Sequence, residues 1–179
     1  VVEQSKTSLV VVTALRFSPD YGEAALASAL RHGEDVVLCL VVDRDIPEAV
    51  SEQLVDVGFL GEKVRQNLRE TMIAEYRERG LLNLSLLVEK ARSRGIQVES
   101  CVKDGPFVDS VLEVCEERRI SRILVPRLNR SHLSRIFFGS EIDRLVRRVP
   151  CPVEIFRLSG ASVTDSSGRE TPQTKGSGL

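Results

Sequence analysis

The chain is predicted to be an α/β protein: one doubly wound parallel sheet of five strands with helices on both faces. Three observations predict it. Short aliphatic runs such as "SLVVVTAL" and "DVVLCLVV" are nearly unbroken, as in strands covered on both faces. Helical segments with one apolar stripe separate those runs. Pro, Ser and Gly punctuate the junctions where helices start and stop. The resulting order, β-α-β-α-β-α-β-α-β, requires right-handed crossovers in a single sheet.

Each element has its own reason. Leu9 to Thr13 is the first strand. In "SPDYGEAALASALRHG", Ser18 caps, Pro19 suits the first helical position and Asp20 favours the positive helix end. Ala25, Leu26, Ala29 and Leu30 form the expected buried stripe, and Gly33 closes the helix. Val36 to Val42 is a second buried strand. Pro47, Gly58 and Gly61 then break the rhythm, giving a loop with a short helix inside it. From Glu62 to Ser93 the period is helical, with Val64, Leu68, Met72 and Ile73 on one face. Gly80 is expected to bend or split this helix, and Gly95 to stop it.

"IQVESCVKDG" alternates with period two and reads as a third strand. Pro106 opens a helix whose face carries Phe107, Val108, Val111, Leu112 and Cys115. "RILV" is the fourth strand. "SEIDRLVRRV" is a helix with Ile142, Leu145, Val146 and Val149 inward, and "PVEIFRL" is the fifth strand. The domain therefore runs from 1 to 159, with a helical insertion at about 45–95. Residues 160–179 hold almost nothing to bury and read as a disordered Gly/Ser/Thr-rich tail.

Composition excludes several functions. Of 179 residues, 42% are hydrophobic and 28% charged, ordinary for a globular domain. A net charge of −1 argues against a nucleic-acid or membrane-surface binder. No apolar run approaches the roughly 20 residues that span a bilayer. The first residues lack a basic segment leading into a long apolar one, so the expected location is the cytoplasm. Cys39, Cys101, Cys115 and Cys151 form no CxxC pair and, with only two histidines, no zinc spacing. They read as small buried hydrophobes in a reducing compartment. His132 reads as a surface histidine and His32 as a partner for the last carbonyls of the first helix. No paired carboxylates, metal motif or nucleophile elbow stand out, so neither catalytic residues nor a metal are expected.

Ligands of doubly wound sheets bind beyond the carboxyl ends of the strands, where strand order reverses. The segments to inspect are therefore 14–18, 42–47 and 125–140. In "LVPRLNRSHLSRIFFGS", Gly139 and Ser140 directly precede a helix, where backbone N–H groups and the helix dipole suit a phosphate. Read alone, they are explained more simply as an ordinary Gly-Ser helix start. Arg127, Arg130 and Arg135 lie in the same loop, and nine arginines fall between Arg118 and Arg148. Their guanidinium forks suit an anion, or they form a solvated basic face paired with acids such as Glu116 and Glu117.

The chain resembles the universal stress protein family. The resemblance rests on "RILVPRLNRSHLSRIFFGSEIDRLVRRVPCPVEIF", "LVVVTALRFSPD" and "VKDGPFVDSVLEVCEE" and covers about residues 6 to 157. It implies a Rossmann-like sheet of the adenine nucleotide alpha hydrolase type, and a homodimer formed through the last strand by Val153, Ile155 and Phe156. Many members bind ATP through a G-x-x-G-x9-G-[S/T] loop after strand four and an Asp ending strand one. Here the three loop glycines fall on Pro126, Asn129 and Gly139, the hydroxyl residue on Ser140, and the Asp on Ala14. Val42 and Val125 stand at the positions that hold adenine and ribose, largely through backbone.

Pro126 has no N–H and a fixed φ near −65°, Asn129 is a milder change, and Ala14 cannot hydrogen-bond a ribose. The expected function is a non-catalytic stress-response or regulatory dimer without robust ATP binding and without a cofactor. Its partners would be a second copy and a protein docked on the 62–95 helices. The alternative is an ATP or AMP sensor that uses Gly139, Ser140, Arg127, Arg130, Asn129, Val125 and Val42.

Overall fold

Among the described residues, nine elements form in the expected order. They are β1 (Thr7–Val12), α1 (Pro19–His32), β2 (Asp35–Val42), α2 (Glu62–Ser93), β3 (Val98–Asp104), α3 (Phe107–Arg118), β4 (Arg122–Leu128), α4 (Ser140–Arg148) and β5 (Val153–Leu158). The computed structural model describes residues 6–13, 18–43, 62–128 and 140–158. The expected 45–61 part of the insertion and the 160–179 tail lie outside them.

All strand pairs are parallel, in the order β3-β2-β1-β4-β5. The chain winds outward from β1 in one direction and then in the other, so strand order reverses between β1 and β4. Alternation along each strand sorts the core into two layers. Val10, Val12, Leu38, Leu40 and Leu124 face α1 and α2, whereas Leu9, Val11, Val37, Ile123 and Val125 face α3 and α4. Both layers are largely aliphatic, which is why the central strands read as unbroken apolar runs.

The caps of α1 act as the sequence predicts. The Ser18 hydroxyl accepts the Tyr21 N–H at 3.1 Å. Gly33 takes φ 62°, and the N–H groups of Gly33 and Glu34 reach Leu30 and Ala29 carbonyls, both at 3.1 Å. His32 Nδ1 lies 2.8 Å from the Ser28 carbonyl, as expected of a histidine at a helix end.

Three expected core positions are corrected. Leu30, Val64 and Val146 are exposed. Leu30 is rotated by about 100° from Ala29 and so leaves the stripe that meets the sheet. Val64 sits in the first turns of α2. That helix reaches the carboxyl edge of the sheet at Arg77, whose guanidinium is 2.6 Å from Asp104 at the end of β3. Ile73, one turn earlier, still packs against the core, whereas Val64 lies more than two turns further out. On α4 the buried stripe is narrower than expected, with Ile142 and Leu145 inward.

Gly80 is also corrected: α2 is continuous through it. Its role is close approach, since a Cβ there would lie 2.5 Å from Leu40 Cδ1 and 3.0 Å from Cδ2. Leu40 is fully buried in β2, so it has little room to yield. Gly80→Val should therefore lower stability by roughly 1–3 kcal/mol despite valine's better helix propensity. Urea unfolding of Gly80→Val, Leu40→Ala and the double variant would check it. The double variant should recover part of the loss, and simple additivity would refute the contact.

Candidate functional site

The reversal of strand order between β1 and β4 marks the crevice where this fold binds ligands. Its floor is made of the carboxyl ends of those two strands. Pro126 is here, buried, and it belongs to β4, in register with Phe156 of β5.

Backbone parity shows what the proline changes. Asp35 N–H donates to the Lys6 carbonyl, and Thr7 pairs with Asp35. Even residues of β1 thus turn their backbone groups to β2, and Thr7, Leu9 and Val11 turn theirs to β4. Ile123 N–H donates to the Pro152 carbonyl, so Arg122, Leu124 and position 126 turn theirs to β1. A residue with an N–H at 126 would donate to the Val11 carbonyl. Proline cannot. The β1–β4 register ends at Val10 and Leu124, whereas β4–β5 continues to Leu128.

The Tyr21 hydroxyl fills this gap. It lies 2.8 Å from the Val11 carbonyl oxygen and 2.9 Å from that of Leu124. With one hydrogen it donates to one of them at a time, bridging the two strands where the ladder stops. The side chain enters from α1, is fully buried, and meets Phe156 edge-on at a centroid distance of 5.6 Å. Burial pushes its phenol well above the ordinary value of 10.0.

The expected ligand residues divide around this floor. Val125 and Val42 are buried at the ends of β4 and β2, and their side chains lie in opposite core layers. Arg127 lies in β4, in register with Arg157, and Ser140 is the first residue of α4. Ala14, Asn129, Arg130, Arg135, His132 and Gly139 lie outside the described residues. The first turn of α4 carries Glu141 and Asp143, whose charge already suits the helix dipole and would repel a phosphate there.

The arginine-rich stretch is partly occupied by ion pairs. Arg118 pairs with Glu99, and Arg148 lies 2.8 Å from Asp109. The acids differ from those expected: Glu117 instead meets Lys103 at 2.9 Å. Arg122 forms a network that sequence reading missed. Its guanidinium lies 2.5 Å from Glu34, 2.6 Å from Glu154 and 3.0 Å from the Ser28 hydroxyl. The Ser8 hydroxyl donates to the same Glu34 carboxylate, and that of Ser28 donates to Glu154 at 3.0 Å. This ties α1, β1, β4 and β5 together at the amino-terminal edge. The signal was a charged residue at or beside the start of β2, β4 and β5, namely Glu34, Arg122 and Glu154.

At that same edge is a cleft of about 350 Å³, lined by residues that include Val37, Gln97, Glu99 and Arg118. It is remote from the crevice, and its arginine is engaged by Glu99. Among the described residues there is no cluster of three His, Cys, Asp or Glu able to hold a metal. Nor is any described helix long and apolar enough to cross a membrane.

A five-stranded parallel sheet with its crevice between β1 and β4 defines a Rossmann-like α/β domain. The sequence profile of the universal stress protein family matches residues 4–157, and the chain belongs to that family. Solved structures agree in fold. A universal stress protein family member from Burkholderia pseudomallei is 18% identical, with TM-score 0.58, covering 86% of this chain and 97% of its own. The universal stress protein UspA from Lactobacillus plantarum is 17% identical, with TM-score 0.58 and coverage of 85% and 97%. A family protein from Arabidopsis thaliana with AMP bound is 16% identical, with TM-score 0.54 and coverage of 90% and 97%. Comparison with curated proteins gave no match.

Proposed function

We propose that this chain is a non-catalytic, regulatory universal stress protein domain that works in the cytoplasm as a dimer, without robust ATP binding. One observation carries the reading. The position matching the first loop glycine is Pro126, held inside β4, and the carbonyl its N–H would have met is bridged by Tyr21. A nucleotide loop that needs a donor or a positive φ at that position has neither. The Ala14 and Asn129 replacements act in the same direction, as do Glu141 and Asp143 at the start of α4.

Dimerisation would use β5, an edge of the sheet whose free backbone groups can pair with a second β5. Val153, Ile155 and Phe156 would accompany that pairing. A protein partner would find Leu82 and Leu86 exposed one turn apart on α2.

A second reading is a nucleotide sensor holding AMP or ATP with Arg127, Arg130, Gly139 and Ser140. The Arabidopsis thaliana relative with AMP bound favours it.

Calorimetric titration with ATP and magnesium separates the two. The expected result is no heat above background. Micromolar binding that disappears in Gly139→Val would establish the sensor instead. Ala14→Asp, Pro126→Gly and Asn129→Gly together should raise ATP affinity at least about tenfold, the equivalent of one recovered hydrogen bond of 1.4 kcal/mol. No gain would show that the loop has been misaligned.

A further inference from the structure

We infer that Cys39 and Cys101 form a peroxide-reactive dithiol site, in which Cys101 is oxidised first and Cys39 resolves it to a disulfide. The two residues are register partners on adjacent parallel strands, β2 and β3. Their side chains lie on the same face of the sheet, in the layer covered by α3. Neighbouring strands lie about 4.8 Å apart, within the Cα separation that a disulfide spans. Both thiols are free.

Their environments differ in the way such a pair requires. Cys39 is fully buried, whereas Cys101 is half-buried on β3, an edge strand. One rung below, on the same face, Val37 pairs with Glu99, and both line the 350 Å³ cleft together with Arg118. The cleft stops one rung short of the thiols, and access for a small polar oxidant is through the half-buried Cys101 itself. The neighbouring Cys39 lowers the Cys101 thiol below its ordinary value; burial opposes this, and the Arg118 and Lys103 cations assist. Cys39 is raised, by Cys101 and by burial. Glu117 is the acid that acts against the Cys101 thiolate, and it is itself paired with Lys103.

The chemistry balances with a hydroperoxide as oxidant. The Cys101 thiolate attacks the O–O bond; an S–O bond forms, O–O breaks, and the leaving oxygen takes a proton. Sulfur is oxidised to sulfenic acid as the peroxide is reduced. Cys39 sulfur then attacks the Cys101 sulfur; S–S forms, S–O breaks, and the Cys39 proton leaves with the hydroxide as water. Cys115 and Cys151 are free as well, but burial pushes Cys115 up to about 12 and raises Cys151. They form the built-in comparison.

The test treats the full chain with hydrogen peroxide at pH 7 and maps the peptides without reduction. The expected product links Cys39 to Cys101, with Cys115 and Cys151 still reduced. Before oxidation, Cys101 should alkylate at least about tenfold faster than Cys115, since Cys101 is half-buried and Cys115 is buried. Cys39→Ser should leave a Cys101 sulfenic acid that dimedone traps, and Cys101→Ser should yield no cross-link at Cys39. A wild-type map in which Cys115 and Cys151 oxidise first, or in which Cys101 is oxidised without linking to Cys39, would overturn the inference. That map needs no variant, so a misfolded substitution does not blunt it.

Discussion

Arg122→Met is expected to lower the unfolding free energy by roughly 3–5 kcal/mol, the cost of leaving a buried charge without its partner. The Arg122 side chain is 13% exposed and that of Glu34 is 6% exposed, so water cannot replace the lost cation easily. The Ser8 hydroxyl would remain on Glu34, and that alone does not neutralise it. Glu154, at 37%, can turn toward solvent and should matter less. Glu34→Gln in the Arg122→Met background should recover most of the loss, because the damage lies in the orphaned carboxylate and not in a missing attraction. Urea unfolding of the two single variants and the double variant measures this. A single Arg122→Met change below about 1 kcal/mol would mean that the network is solvated and contributes little.

Tyr21→Phe is the second large effect. Removing the hydroxyl leaves the Val11 carbonyl facing a proline and a hydrocarbon ring, at a cost of about 1–3 kcal/mol. The ring, its packing on Phe156 and the helix that carries it are retained, so the loss reports the hydrogen bond. Alkaline pH supplies a second readout. Burial raises the phenol pKa in the folded state above the unfolded value near 10. The folded chain thus keeps a proton that the unfolded chain releases. Stability from this group is complete below pH 10 and falls as pH rises above it, by up to about 1.4 kcal/mol per pH unit. The wild type should show this decline and Tyr21→Phe should lack it, so the two stability curves converge in alkali. Curves that stay parallel would show that the hydroxyl titrates normally and does not bridge the strands. Pro126→Gly connects this result to function, since a restored N–H at 126 would compete with Tyr21 for the same carbonyl.

Much of the fold was legible because its signals are local. The near-continuous Val and Leu of β1 and β2 announce strands buried on two faces. Ser18, Pro19 and Gly33 announce the ends of α1, and they do so through bonds to residues no more than five positions away. The alternation of element types fixes a parallel sheet. The missing N–H of Pro126 and the missing carboxylate at Ala14 were equally readable, since each is a property of the residue itself.

What only tertiary structure decided depends on which segments become neighbours. Gly80 reads as a weak point in a helix until Leu40 is found beneath it. Leu30 and Val146 look buried on a helical wheel, yet the faces that meet them are open. Tyr21 lies 103 positions from Leu124 and Arg122 lies 88 from Glu34, and each pair meets only because β4 inserts beside β1. Cys39 and Cys101 are brought together by a register that no spacing rule encodes. Periodicity and capping are short-range and are written residue by residue. Pairing across a sheet is set by strand order and register, which the whole core selects at once.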